Sequence, residues 1–142
     1  MEIVIDAEDA IVGRVASYVA KQALNGHKVS VINADKSIMT GSKDFLFARY
    51  HHRMVSLGQP QQGPFVSRMP DRFFSRIIKG MLPNKLPRGI AAKHRIKVYI
   101  GVPLQFKDKK YEKVPGADMS KLTTTRFVRL GVLCKLFGAH YR

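Results

Sequence analysis

The first third of the chain combines two short apolar runs with one helical pattern. Residues 2–6 form an apolar run, which predicts a strand. Across residues 12–23, valine and alanine recur every three or four positions, as on one apolar face of an α-helix. An Asn-Gly pair at 25–26 indicates the helix end, and the β-branched residues of 28–33 predict a second strand. Strand, helix and strand together have the length of a βαβ unit, so we expect parallel strands and a right-handed crossover.

Weaker patterns predict the remaining elements. Ser42 predicts the cap of a helix that runs to residue 50, and Pro70 predicts the first position of a helix over 70–82. Further predictions are a turn, a short extended piece and a second turn over 34–43, a short helix at the end of 85–95, a strand over 97–101 and a terminal helix over 130–137. The segments at about 54–69 and 103–118 lack periodicity and predict long loops.

Length and composition limit the class of protein. A chain of 142 residues with 45% hydrophobic content predicts a single globular domain over 1–142. The single cysteine, Cys134, excludes an internal disulfide and a multi-cysteine zinc site. The first ten residues contain four acids and no basic segment, unlike a signal peptide, and no stretch approaches the roughly 18 apolar residues of a membrane span. We therefore expect a reducing, intracellular compartment.

The net charge of +15 is distributed unevenly along the sequence. Residues 1–48 have a net charge of −1, whereas residues 49–97 contain eleven basic side chains against the single acid Asp71. Residues 98–142 contribute a further +6. A field of one sign on this scale favours a polyanionic partner, because neutralising phosphates releases counterions. The middle third therefore predicts the contact surface, and the alternative is a basic face that serves only solubility.

The predicted helix over 70–82 separates cations from apolar residues. Its apolar face consists of Phe73, Phe74, Ile77, Ile78 and Met81. Its basic face consists of Arg72, Arg76 and Lys79, which repel one another at i, i+4 and i+7 without an intervening acid. A row of phosphates opposite this face would compensate the repulsion, and the alternative is a solvated helix face.

Residues 49–53 interleave cations with rings. Such a mixture is typical of RNA-binding surfaces, where cations contact phosphates and flat groups stack on exposed bases. The alternative for the two histidines is ordinary surface polarity, and metal binding is disfavoured because no second cluster supplies further ligands.

Enzymatic signatures are incomplete in this sequence. Thr40-Gly41-Ser42-Lys43 resembles part of a phosphate-binding loop, but Lys36 stands where the pattern requires its first glycine. The segment 6–14 lacks the three glycines of a dinucleotide fingerprint. Cys134 lies in an apolar helix pattern and is interpreted as a small buried hydrophobe. We therefore expect no catalysis, no metal and no cofactor.

One string in the middle of the chain resembles a known family. Residues 78–83 read Ile-Lys-Gly-Met-Leu-Pro, and the run continues through Gly89 to Lys-Val-Tyr-Ile-Gly at 97–101. Together with Ile-Asp-Ala at 5–7, Gly-Arg-Val-Ala-Ser at 13–17, Val-Ile-Asn-Ala at 31–34 and Ile-Met-Thr-Gly at 38–41, this resembles the large-subunit ribosomal protein L13 family. The basic segment 84–95 and the overall length resemble its archaeal and eukaryotic branch more than its bacterial one. The resemblance implies a three-layer α/β/α fold with a small, mainly parallel sheet. It also implies a cytoplasmic, structural role on the large ribosomal subunit, on its rRNA and beside neighbouring proteins, from early assembly onwards.

Our hypothesis is accordingly an α/β domain that binds large-subunit rRNA without catalysis. Tyr50, His51 and His52 are the stacking candidates. The candidate phosphate contacts are Arg49, Arg53, Arg72, Arg76, Lys79, Lys85, Arg88, Lys93, Arg95 and Lys97. The first alternative is a nucleotide-binding or nucleic-acid-processing enzyme, with a site near Asp6, residues 33–35 and Gly101. The second is a membrane-surface protein, which requires bulky apolar anchors on a basic helix.

Overall fold

The computed structural model describes residues 1–59 and 61–141, so that Pro60, in the predicted loop 54–69, and Arg142 lie outside the described residues. The chain begins with strand β1 (Glu2–Asp6), helix α1 (Val12–Leu24) and strand β2 (Lys28–Ile32). The two strands are parallel and in register from end to end. The predicted βαβ unit is therefore confirmed, with bounds within one residue of the sequence pattern.

A third parallel strand completes the main sheet. Strand β4 (Ile96–Val98) pairs with β2, which gives the order β1-β2-β4. This strand is shorter than the predicted span of 97–101. Tyr99 still donates its backbone N–H to Val31, but its carbonyl turns to accept from Ala34, in the 3₁₀ turn Ala34–Lys36. The chain therefore leaves the ladder at this point.

The two faces of the sheet are covered differently. Val29 and Val31 of β2 belong to the main core, in which α1 packs against β2, helix α3 (Pro70–Gly80) and helix α4 (Pro87–His94). Ile32 points to the opposite face, where it forms a small cluster with Val4 and Phe106. Phe106 comes from the 3₁₀ turn Leu104–Phe106, which is much thinner than the helical layer. The predicted α/β fold with a small, mainly parallel sheet is confirmed.

The segment predicted as a loop over 103–118 is anchored to the sheet. Glu112 forms an isolated parallel bridge with Ile5, and its backbone N–H and carbonyl bond to Val4 and Asp6 of β1. Val114 and Ala117 are buried in the main core. The lysines that flank these positions are exposed, and they interrupt the apolar pattern from which this pairing could have been predicted.

A second, two-stranded sheet lies beside the first. Strand β3 (Ile38–Thr40), at the predicted extended piece, pairs antiparallel with β5 (Phe127–Arg129), which the sequence pattern did not predict. Helix α2 (Lys43–His51) is capped by Ser42, as predicted, and the Ser42 hydroxyl accepts from the Phe45 N–H at 3.4 Å. The terminal helix α5 (Leu130–Leu136) packs on α2. A π-helical turn (His52–Ser56) prolongs α2, so the loop begins at residue 57 rather than 54.

The buried face of helix α3 differs from the predicted apolar face at two positions. Phe73, Phe74 and Ile78 are buried, as predicted. Ile77 is only half-buried, and Met81 is 43% exposed. The helix ends at Gly80 rather than at residue 82, so Met81 is the residue beyond the last turn and leaves the direction of the buried stripe.

The thiol of Cys134 provides a test of folding in any variant of this chain. Cys134 is fully buried in α5. Burial, and secondarily the charge of Asp71, raises the pKa of this thiol from 9.0 to about 12. The folded chain therefore holds this proton more tightly than the unfolded chain, so the resulting stabilisation is complete below pH 9 and is lost as the pH rises towards 12. At pH 8 we expect iodoacetamide to label Cys134 only through unfolding, measured by mass spectrometry against the chain in denaturant. Labelling at the same rate in both conditions would contradict this burial.

Candidate nucleic-acid interface

The basic face of α3 forms one wall of a cavity of about 410 Å³. Arg72, Arg76 and Lys79 line it together, as the helical spacing predicted, and all three are exposed. Lys93, on α4, also lines this cavity. The structure therefore brings together four of the predicted phosphate contacts, from two different helices, around one concave surface.

The interior of this cavity is mainly apolar, and Ser67 and Ser75 are further lining residues. Ile78 and Leu82 are buried at its lining, and Ile96 of β4 is half-buried there. Phe65, from the segment before α3, also lines the cavity and is 75% exposed. The sequence-based selection of candidates missed Phe65, although an aromatic residue within a Gly-, Pro- and Gln-rich stretch is a recognisable signal.

A smaller cavity of about 180 Å³ connects α2 to the same surface. Tyr50, Arg53 and Arg76 line it, and Arg76 also lines the larger cavity. The surface therefore runs continuously from the end of α2, along α3, to α4. We call this surface, with the cations Arg53, Arg72, Arg76, Lys79 and Lys93, the basic groove.

The predicted stacking residues have different surroundings. The Tyr50 ring is half-buried, lies edge-on to Phe73 with centroids 4.9 Å apart, and has Arg49 and Arg53 within 6 Å of its centroid, at 5.9 Å and 5.7 Å. His51 is exposed and stacks on Phe47 at 5.2 Å, and His52 is exposed. The two histidines therefore present more free ring surface than Tyr50 does.

The remaining candidates lie outside the basic groove. Arg95 and Lys97 line a different cavity of about 640 Å³, together with Lys28, His94 and Lys109, which were not among the predicted contacts. Arg95 is partly committed to the fold, because its guanidinium donates to the Ala23 carbonyl at 3.2 Å, near the end of α1. The two last candidates, Lys85 and Arg88, are exposed just before and within the first turn of α4. Helix α4 thus stands between two basic cavities.

The salt bridges within the protein involve residues that lie far from these cations in the sequence. In the part of the chain that the structure describes, the salt bridges are Lys36–Glu8 at 2.9 Å, Lys109–Glu2 at 2.7 Å and Arg129–Asp9 at 3.0 Å. None of them includes a predicted phosphate contact. Lys109 lowers the pKa of Glu2 through a hydrogen bond and its charge, and Glu8 raises the pKa of Lys36 in the same way. The cations of the basic groove have no such partner among the described residues, so their charge is available to a ligand.

The edge where the enzyme alternative places its site is occupied by internal hydrogen bonds. The Asn33 side chain donates to the Asp6 carboxylate at 2.9 Å, and the Gly101 N–H donates to Asp35 at 3.2 Å. The Asn33 N–H donates in turn to the Gly101 carbonyl at 2.9 Å. These polar groups hold the ends of the strands together, so this edge is accounted for by the fold.

Two further features concern the metal and membrane alternatives. Over residues 1–59 and 61–141, no group of three or more His, Cys, Asp or Glu side chains is arranged to hold a metal ion. Within the same residues, no helix is long and apolar enough to cross a membrane.

Comparison with known proteins gives full-length relatives. The family model of ribosomal protein L13 matches residues 1–105. The large ribosomal subunit protein uL13 of Methanococcoides burtonii is 39% identical over 138 residues, which cover 97% of this chain and 99% of the relative. That of Methanococcus maripaludis is 41% identical over 147 residues, covering 98% and 99%. That of Methanopyrus kandleri is 42% identical over 137 residues, covering 95% and 86%.

Proposed function

Because the chain belongs to the ribosomal protein L13 family, and is a ribosomal protein rather than an enzyme, we propose that it binds large-subunit rRNA as a structural constituent of the large ribosomal subunit. The basic groove is the central contact surface of this proposal. The observation that supports it most is the set of cations from α3, α4 and the π-helical turn after α2, which line connected cavities without a carboxylate partner among the described residues. Folding leaves this charge uncompensated, and rRNA phosphates would compensate it.

The other predicted contacts extend the proposed surface. Arg49, His51 and His52 lie on or just after α2, at one end of the groove, and Lys85 and Arg88 lie at the start of α4. Arg95 and Lys97 line the cavity on the far side of α4. We propose that rRNA follows the groove and contacts both sides of α4, with Tyr50 shaping the groove between Arg49 and Arg53.

The site of action follows from this proposal. The protein would act in the cytoplasm, on the large subunit and beside neighbouring ribosomal proteins, and would support early assembly by neutralising phosphates where rRNA segments approach one another. The chain would do so as a single domain. In cells depleted of the protein, we propose that large-subunit precursors accumulate, as gradient fractionation of labelled rRNA would detect.

Salt dependence tests the proposed mode of binding. If roughly 6–10 phosphates are neutralised, the affinity for large-subunit rRNA falls by about three to five orders of magnitude between 50 and 200 mM salt. Filter binding or fluorescence anisotropy over this range gives the slope directly. An affinity that hardly changes with salt would contradict phosphate neutralisation as the main source of binding.

A further inference from the structure

The basic groove combines two features that phosphate binding alone does not require. Four exposed cations line it, Arg72, Arg76, Lys79 and Lys93. The more deeply buried part of its lining is mainly apolar and contains Ile78, Leu82 and Ile96, while Ser67 and Ser75 also line the cavity. An exposed phenyl ring, Phe65, lies at the same cavity. A continuous RNA duplex could place its phosphates on these cations. Its bases are stacked inside the double helix, however, so the apolar interior of the cavity would remain in contact with water.

We infer that this cavity takes one unstacked nucleotide of an RNA strand, with its base in the apolar interior against Phe65 and its flanking phosphates on the cations of α3 and α4. The inference rests on the proposed function and specifies its ligand. The volume of about 410 Å³ lies within the range of roughly 300–1,000 Å³ that is usual for pockets that hold small organic groups. Bases extruded from an RNA strand are commonly held by stacking on aromatic or guanidinium planes, and Phe65 and Arg72 or Arg76 offer both kinds of plane.

The arrangement of charge favours RNA over an acidic peptide. The cations come from two separate elements, α3 and α4, and Arg76 continues the basic lining into the smaller cavity beside Arg53. This distribution of cations matches a polyanion that carries one charge on each unit. Such a polyanion places a charge on either side of one inserted ring. The cations of α3 and α4 then bind the phosphates, while Phe65 and the apolar lining residues Ile78, Leu82 and Ile96 accept the base.

Two RNA hairpins that differ by one bulge test this inference. The first is fully paired, and the second contains a single bulged 2-aminopurine in the same stem. We expect the protein to bind the bulged hairpin more tightly, with a change in 2-aminopurine fluorescence. Phe65→Ala should lower the affinity for the bulged hairpin by about tenfold and leave the paired hairpin unchanged, because base–aromatic stacking is removed. Phe65→Tyr should retain the preference.

The chain offers a matched control in Phe45. This phenylalanine is 59% exposed on α2 and does not line the cavity. Phe45→Ala should therefore leave both affinities unchanged, and protection of Cys134 from alkylation verifies that every variant is folded.

Several results would overturn the inference. One is equal affinity for the two hairpins, and another is an equal decrease for both in Phe65→Ala. Displacement of the bulged hairpin by an acidic peptide containing phenylalanine, at the same concentration of charge, would assign the cavity to a different ligand. If the affinity depends steeply on salt but shows no preference for the bulged hairpin, this inference is contradicted and the proposed function is still supported. The absence of binding to either hairpin and to rRNA would contradict both.

Discussion

Replacing Arg72, Arg76 and Lys79 together with glutamate is expected to abolish the binding of large-subunit rRNA and to leave the fold intact. All three side chains reach the surface of α3, and the buried residues of this helix, Phe73 and Phe74 among them, are unchanged. A hydrogen bond to a charged group contributes about 1.5–3 kcal/mol, so removing three lowers affinity by about a thousandfold or more. The slope of affinity against salt should fall by about one for each phosphate that is no longer neutralised.

A control with the same charge separates this local effect from the field of the whole protein. Lys107, Lys110 and Lys113 are exposed in the segment that follows β4, away from the basic groove. Replacing these three with glutamate also lowers the net charge from +15 by about six units, as in the groove variant. We expect this control to retain far more affinity, measured by rRNA titration together with a thermal melt of both variants. Equal decreases would show that net charge, rather than the groove, determines binding.

Gly89→Ala is expected to destabilise the protein, although alanine is normally the better helix former by up to about 1 kcal/mol. Gly89 is buried in α4, and a Cβ at this position would overlap the Pro83 carbonyl oxygen and lie 2.6 Å from its carbon. This carbonyl already accepts from the Leu86 N–H at 3.0 Å, which limits its freedom to move. Overpacking of this kind costs about 1–3 kcal/mol. Because α4 also positions Lys93, RNA affinity should fall as well.

Gly13 provides the matched comparison for Gly89. It lies in the first turn of α1, and apart from its chain neighbours and the adjacent helix backbone no atom lies within 4 Å of a Cβ built there. Gly13→Ala should therefore raise the free energy of unfolding by up to about 1 kcal/mol. Chemical denaturation of the two variants checks the pair. A stabilising Gly89→Ala would show that α4 does not pack against Pro83 as described.

The elements that the sequence predicted well are those with a complete periodic pattern. Helix α1 has valine or alanine at each buried position over three turns, and its bounds follow from that stripe. Strand β5 has three residues and passes directly into α5, so no alternation could develop. The pairing of Glu112 with β1 uses backbone groups, which every residue possesses, and therefore leaves no signature in side-chain patterns.

In the candidate site, too, the features that follow from a local pattern could be predicted, and those that depend on the tertiary fold could not. The shared face of Arg72, Arg76 and Lys79 follows from helical spacing alone, and the structure shows it. The position of Lys93 at the same cavity depends on how α3 and α4 are joined, which no local pattern encodes. Strand alternation separates Ile96 from Lys97, but only the fold shows that they line different cavities. The family resemblance came from the motifs, and its archaeal and eukaryotic branch came from the basic segment 84–95 and the overall length. The full-length archaeal relatives confirm this resemblance.

Sedimentation of cell lysate through a sucrose gradient tests the role of the basic groove most directly. We predict that the wild-type chain migrates with the large ribosomal subunit, and that the chain with glutamate at positions 72, 76 and 79 remains at the top of the gradient. Immunoblotting of the fractions detects both chains. The control chain with glutamate at positions 107, 110 and 113 should still migrate with the large subunit. A groove variant that migrates with the large subunit like the wild type would contradict the assignment of the basic groove as the rRNA contact surface.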